Sequence, residues 1–131
     1  MMYALDTNSL VYFFKGMGRV AERMLAIAPV QVGIPAVVLY ELEVGIAKSS
    51  SPEKRRKQLE NLMRVVNVLP FGEAEARTAA RIRADLEQSG APIGPLDILI
   101  AGTALSRGAI LVTHNVEEFG RVDNLSTEDW Y

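Results

Sequence analysis

Short apolar runs alternate along this chain with longer stretches in which apolar residues recur every three or four positions, a rhythm that predicts strands separated by helices. The run Met2–Leu5 stops abruptly at Asp6, as a buried first strand does. Asn8 or Thr7 can cap a following helix that carries Leu10, Val11, Phe13 and Phe14 and ends near Gly16. Val20, Met24, Leu25 and Ile27 predict a second helix over Arg19 to Ala28. Val30–Ile34 reads as the next strand, and Pro35 suits the first position of a helix holding Val38, Leu39, Leu42 and Ile46. Ser51-Pro52-Glu53 starts another helix, running through Leu59, Leu62 and Met63, and the β-branched run Val65–Leu69 reads as a third strand.

After Pro70 a long helix extends from Glu73 to about Ser89 and is ended by Gly90. Gly94-Pro95 opens one more, Leu96 to Ser106, ended by Gly108. Ile110–Thr113 is the fourth strand, and Leu125 begins a short fifth. Strands separated by helices imply an α/β fold with a central parallel sheet of four to five strands flanked by helices. With no internal repeat, low-complexity tract or linker, residues 1–131 are expected to form a single domain.

Composition narrows the function classes. Apolar residues are 49% of the 131, which speaks for a folded chain and against disorder. The 14 basic and 16 acidic residues give a formal net charge of −2, which is not the footprint of a protein that holds nucleic acid by charge alone. The absence of Cys excludes disulfide frameworks, thiolate zinc sites and cysteine nucleophiles, and suits a reducing cytoplasm. No apolar run reaches the roughly 18 residues needed to cross a bilayer. The start Met-Met-Tyr-Ala-Leu-Asp lacks the basic and apolar segments of a secretion signal. A cytoplasmic protein is the expectation.

The candidate chemistry lies in the placement of acids. In open α/β sheets, ligands sit beyond the C-terminal strand ends. Asp6 ends the first strand, and Thr113-His114-Asn115 ends the fourth with Glu117 and Glu118 behind it. Glu41 and Asp97 interrupt otherwise apolar helical segments, Val37–Leu42 and Pro95–Ile100, so each faces inward. Carboxylates gathered there would repel, at about 4 Å and an effective dielectric of 20 by on the order of 4 kcal/mol per pair. No Lys or Arg adjoins Asp6, Glu41 or Asp97 in sequence to relieve this. A hard divalent cation is the other remedy, and oxygen-only ligands favour magnesium or manganese over zinc. Blander roles compete: Asp6 as a helix cap, Asp97 as a first-turn charge, Glu117 and Glu118 on a solvated face.

Leu5-Asp6-Thr7-Asn8, Glu41-Leu42 with Gly45, Pro95-Leu96-Asp97 leading into Ile100-Ala101, and Thr113-His114-Asn115 with Glu118-Phe119 resemble the ordered motifs of PIN domains. More narrowly, with Ser106-Arg107-Gly108 and the closing Glu128-Asp129-Trp130, the chain resembles VapC toxins of toxin–antitoxin pairs. The resemblance spans almost the whole chain. It implies a Mg2+-dependent endoribonuclease, with Mn2+ as a substitute, that hydrolyses structured RNA such as tRNA by metal-activated water. By it Asp6 and Asp97 hold the principal ion and Glu41 assists or anchors a second. The fourth position departs from the pattern: where many members have Asp, this chain has Asn115, so Glu118 is expected to supply the fourth acid. Thr7 and Asn8 are expected to orient Asp6, with Thr113 and Asn115 as further supports.

The resemblance also implies a homodimer formed by helices near the N-terminal half, and a VapB-type antitoxin whose C-terminal segment enters a groove. Tyr12, Phe13, Phe14 and Leu59–Met63 are candidates to line that groove, and Lys54–Lys57 with Arg77, Arg81 and Arg83 are candidates to guide RNA. That His114 is the single histidine excludes the two-histidine ribonuclease mechanism, and it is either structural or a contact to a phosphate or to the metal's outer shell. An aspartyl-nucleophile phosphatase would want a second Asp at position 8, where Asn8 stands. A PIN scaffold that only binds RNA or a partner is the remaining alternative.

Overall fold

In the computed structural model, which describes residues 1–131, five short strands form one sheet: β1 (Tyr3–Leu5), β2 (Val32–Pro35), β3 (Asn67–Leu69), β4 (Ile110–Val112) and β5 (Thr127–Glu128). All neighbours are parallel, in the order β3-β2-β1-β4-β5. Tyr3 stands opposite Val32 on one side and Ile110 on the other, so β1 is central. Ala4, Leu5, Ile34, Leu111 and Val112 are fully buried, as a parallel sheet covered on both faces requires.

The helices are α1 (Thr7–Lys15), α2 (Val20–Leu25), α3 (Ala36–Ala47), α4 (Pro52–Met63), α5 (Glu73–Gln88), α6 (Pro95–Ser106) and a short α7 (Val116–Phe119). Helix α6 buries Ile98, Ile100, Ala101, Gly102, Thr103 and Ala104, so most of its circumference is covered by its neighbours. It crosses α5 closely: a Cβ on Gly102 would meet the Ala79 Cβ at 2.6 Å and its Cα at 2.9 Å. Gly102→Ala should therefore destabilise by about 1–3 kcal/mol, the usual cost of overpacking, read as a lower urea midpoint. An unchanged midpoint would mean that the two helices have room to part.

Several boundaries differ from the sequence reading. Val30 is not in a strand: Pro29 opens a 3-10 turn over Pro29–Gln31, and Val30 is left 70% exposed. Val65 and Val66 close the end of α4, both N–H groups donating to Leu62 O, so β3 starts only at Asn67. Helix α2 stops at Leu25, because Ala26 and Ile27 bond back three residues and tighten the turn. Pro35 ends β2 and precedes α3 instead of starting it. Thr113 falls just outside β4, although its N–H still reaches Glu128 O at 2.9 Å. The fifth strand begins at Thr127, two residues beyond Leu125. No helix is long and apolar enough to cross a membrane.

Candidate active site

The chain leaves β1 toward β2 and β3, then reaches β4 and β5 on the other side of β1, so the strand order reverses between β1 and β4. A crevice opens beyond the C-terminal ends at such a point. Asp6 stands at its mouth, directly after β1, and its N–H donates to Val112 O at 3.1 Å. Its Oδ1 accepts from the Ser9 N–H at 2.9 Å, which caps α1, while the Ser9 hydroxyl donates to Val112 O at 3.2 Å. The Asp6 carboxylate is thus both a cap and a member of the acid group. Only 6% of the residue is exposed, and burial raises its pKa. Hydrogen bonds from Thr113 and Ser9 partly offset that, and the nearby Asp129 charge adds to it.

Glu41, half-buried on α3, accepts the Thr7 hydroxyl on Oε1 at 2.7 Å. Asp97 sits in the first turn of α6, and Glu118 on α7. The Gly94 N–H donates to Glu118 Oε1 at 3.0 Å, and the Asn115 side-chain amide donates to Glu118 Oε2. Space here is tight: a Cβ on Gly94 would stand 3.2 Å from Asp97 Oδ2 and 3.8 Å from Glu118 Oε1. Asp97 and Glu118 share a hydrogen bond, so one proton lies between them. Burial, the bond to Glu118, and then the charges of Glu118, Glu41 and Asp6 push Asp97 up to about 7. The Gly94 N–H, ahead of the bonds from Asp97 and Asn115, holds Glu118 below the usual range, so Asp97 carries the proton.

No Lys or Arg lies within ion-pairing distance of Asp6, Glu41, Asp97 or Glu118. Arg121 contributes only a favourable field at Glu118. No three acids or histidines are arranged to grip an ion as the side chains stand; Asp6, Glu41 and Glu118 are each turned to a donor of their own. The donor chemistry still fits a hard divalent cation: four oxygen acids crowd one another without a basic partner, and one keeps its proton because of it.

Of the expected supports, Thr113 bonds Asp6, and Asn115 both holds Glu118 and caps α7. Thr7 serves Glu41, not Asp6. Asn8 is exposed and makes no side-chain hydrogen bond; Ser9, one residue on, does its expected work because α1 begins at Thr7 and turns Ser9 inward. Sequence reading also missed the Gly94 N–H and Asp129. The Gly94-Pro95 pair signalled only a helix start, and Asp129 entered only with the closing Glu128-Asp129-Trp130, with no role attached.

The basic segments divide. Arg77 and Arg83 pair along α5 with Glu73 and Glu87, and Arg56 pairs with Glu43. Arg55 and Lys15 instead border a cavity of about 360 Å³ beside Glu41, whose apolar wall includes Val11, Phe14 and Leu59. Of the groove candidates, Phe14 and Leu59 line this cavity, whereas Phe13 packs on Phe14 and Tyr12 turns to His114.

Residues 3–125 match the family model of the PIN domain. The chain is 38% identical over 130 residues to the tRNA(fMet)-specific endonuclease VapC of Shigella flexneri, covering 99% of this chain and 98% of that one. It is 36% identical over 132 residues to ribonuclease VapC1 of Haemophilus influenzae, with the same coverage. Among solved structures it resembles VapBC2 of Rickettsia felis bound to a promoter DNA fragment, with a TM-score of 0.93, 33% identity and full coverage of both chains.

Proposed function

The chain belongs to the PIN-domain family, and from that premise we propose that it is a VapC-type toxin, a divalent-metal-dependent endoribonuclease acting on structured RNA of the tRNA class. The observation that carries this reading is the meeting, at the β1–β4 crevice, of four acids from separate segments with no Lys or Arg paired to any of them. A store of negative charge in a cleft is costly to the fold and useful to a cation.

Asp6 and Asp97 are the side chains that would hold the principal ion, with Glu41 beside them and Glu118 as the fourth acid. Bound magnesium or manganese would supply charge relief on the phosphate and an acidified water. The protein's own groups set the rest. Ser9 and Thr113 aim the Asp6 carboxylate, and Thr7 aims Glu41. Asp97 must release the proton it shares with Glu118 before it can act as a ligand. Glu118, kept ionised by the Gly94 N–H, stays a hydrogen-bond acceptor that can orient the attacking water.

A VapB-type antitoxin is the proposed partner, and solved VapBC complexes of similar chains support it. Its segment would occupy the cavity beside Glu41, where Lys15 and Arg55 favour an acidic stretch around an apolar anchor. Self-association through α3 is supported by Tyr40 and Val44, 58% and 37% exposed one helical turn apart.

The test is to incubate the purified chain with total RNA and magnesium and to map new RNA 5′ ends, with Asp6→Asn as control. Discrete new ends are expected from the unaltered protein and none from the variant. RNA bound but uncut would replace the nuclease with a binding scaffold.

A further inference from the structure

Beside the acids lies a group of planar side chains that the proposed chemistry does not use. His114 and Tyr131 are stacked, with ring centroids 4.3 Å apart and planes 25° apart. Tyr12 stands edge-on to both, 4.8 Å from Tyr131 and 6.1 Å from His114. One carboxylate orients the pair: Asp129 Oδ2 bonds His114 Nδ1, and Asp129 Oδ1 accepts the Tyr131 N–H, each at 2.9 Å. Even so, 48% of the His114 side chain and 43% of Tyr131 stay exposed.

Holding the chain end against the start of α2 does not require these rings. The Arg19 N–H already reaches both Trp130 O and Tyr131 O, and Trp130 is 2% exposed against Tyr3. Two flat groups fixed in plane yet half open to solvent are what an extended stack needs from its base. Their position is also telling. His114 directly follows Thr113, which bonds Asp6, and the Asp129 charge reaches Asp6. Tyr12 projects from a different face of α1 than Val11, Phe14 and Lys15, so the platform is separate from the apolar cavity.

We propose that His114 and Tyr131, oriented by Asp129 and backed by Tyr12, form a stacking platform for one unpaired nucleobase next to the scissile phosphate. The inference rests on the nuclease reading above and deepens it. An unpaired base offers its π-face to aromatic and imidazole planes whatever its identity. In a slightly acidic protein, such stacking supplies affinity that backbone charge does not. The platform would thus select splayed single-stranded positions over duplex.

The experiment uses short RNAs carrying 2-aminopurine on either side of a mapped cleavage point, bound to the full chain with Asp97→Asn so that nothing is cut. Emission should be quenched on one side only. Adding Tyr131→Ala or His114→Ala should restore emission and weaken binding about tenfold, the loss of one base–aromatic stack, whereas Tyr131→Phe keeps the quench. In the active protein the same alanine changes should raise KM about tenfold, by the same lost stack, and leave kcat within about twofold. RNA that binds with full emission on both sides overturns the platform while leaving the nuclease intact. So does an alanine effect confined to antitoxin binding, which would assign the rings to a protein partner. Failure of the unaltered chain to cut RNA would instead sink the nuclease reading and, with no cleavage point to flank, the platform with it.

Discussion

Asp97→Asn is expected to abolish RNA cleavage and, at the same time, to make the metal-free protein more stable at pH 8. The first effect follows from removing a charge that the proposed ion needs. A bound divalent ion supplies several kcal/mol to phosphoryl transfer, so at about 1.4 kcal/mol per tenfold the loss should reach about 10³-fold. The second effect follows from the repulsion at the site. Asp97 is pushed up to about 7, so its ionised form is disfavoured by burial and by Glu118, Glu41 and Asp6. The sign is that of an acid whose folded pKa lies above its unfolded value near 3.8. Between about 4 and 7 the folded state binds the extra proton, so stability falls as pH rises through that window and levels off above it. An amide at position 97 removes the penalty. Thermal melts at pH 5 and pH 8 in chelator should therefore differ for the unaltered chain and converge for the variant. A variant that melts lower than the parent at pH 8 would mean that Asp97 is stabilising, and that the acids do not repel as described.

Magnesium or manganese should raise the melting temperature, and chelator should reverse the gain together with all cleavage. At a hundredfold excess over its Kd, a ligand of the folded state adds about 2.7 kcal/mol. For a domain of this length that is roughly 10 °C. The shift should be larger at pH 8 than at pH 5.5, because the ion must displace the Asp97 proton and the competition eases as pH rises. Asp6→Asn should shrink the shift as well as the activity. A rise of equal size at both pH values, or one that survives loss of both Asp6 and Asp97, would place the ion elsewhere.

The acids differed in how legible they were. Glu41 and Asp97 drew attention because each is a charge amid apolar helical neighbours, and Asp6 because it ends a buried run. Those are local signals, and all three residues come to the crevice. The choice between Asn115 and Glu118 is harder, since one caps the short helix α7 and the other lies in its first turn. In the fold they work as a pair, Asn115 holding the carboxylate that adjoins Asp97. Ser9 was passed over for Asn8 because polarity alone does not say which residue of a first helical turn faces inward. Asp129 stands in the closing Glu128-Asp129-Trp130, but its role is not legible there: its partners, His114 and the Tyr131 N–H, are fixed by tertiary folding and by the chain's own turn.

The alternation of apolar runs and amphipathic stretches was enough to determine a parallel α/β architecture and the order of its elements, because burial of a strand or helix face is a local property of spacing. Where the strands stop was decided by turns, as at Val30 and Val65, whose backbones are spent elsewhere. Only the tertiary structure decided which donor each acid takes, which acid keeps the proton, and which rings stack. Those contacts join segments as far apart as Ser9 and Val112, 103 residues along the chain. They follow from the sheet order β3-β2-β1-β4-β5, which periodicity does not encode.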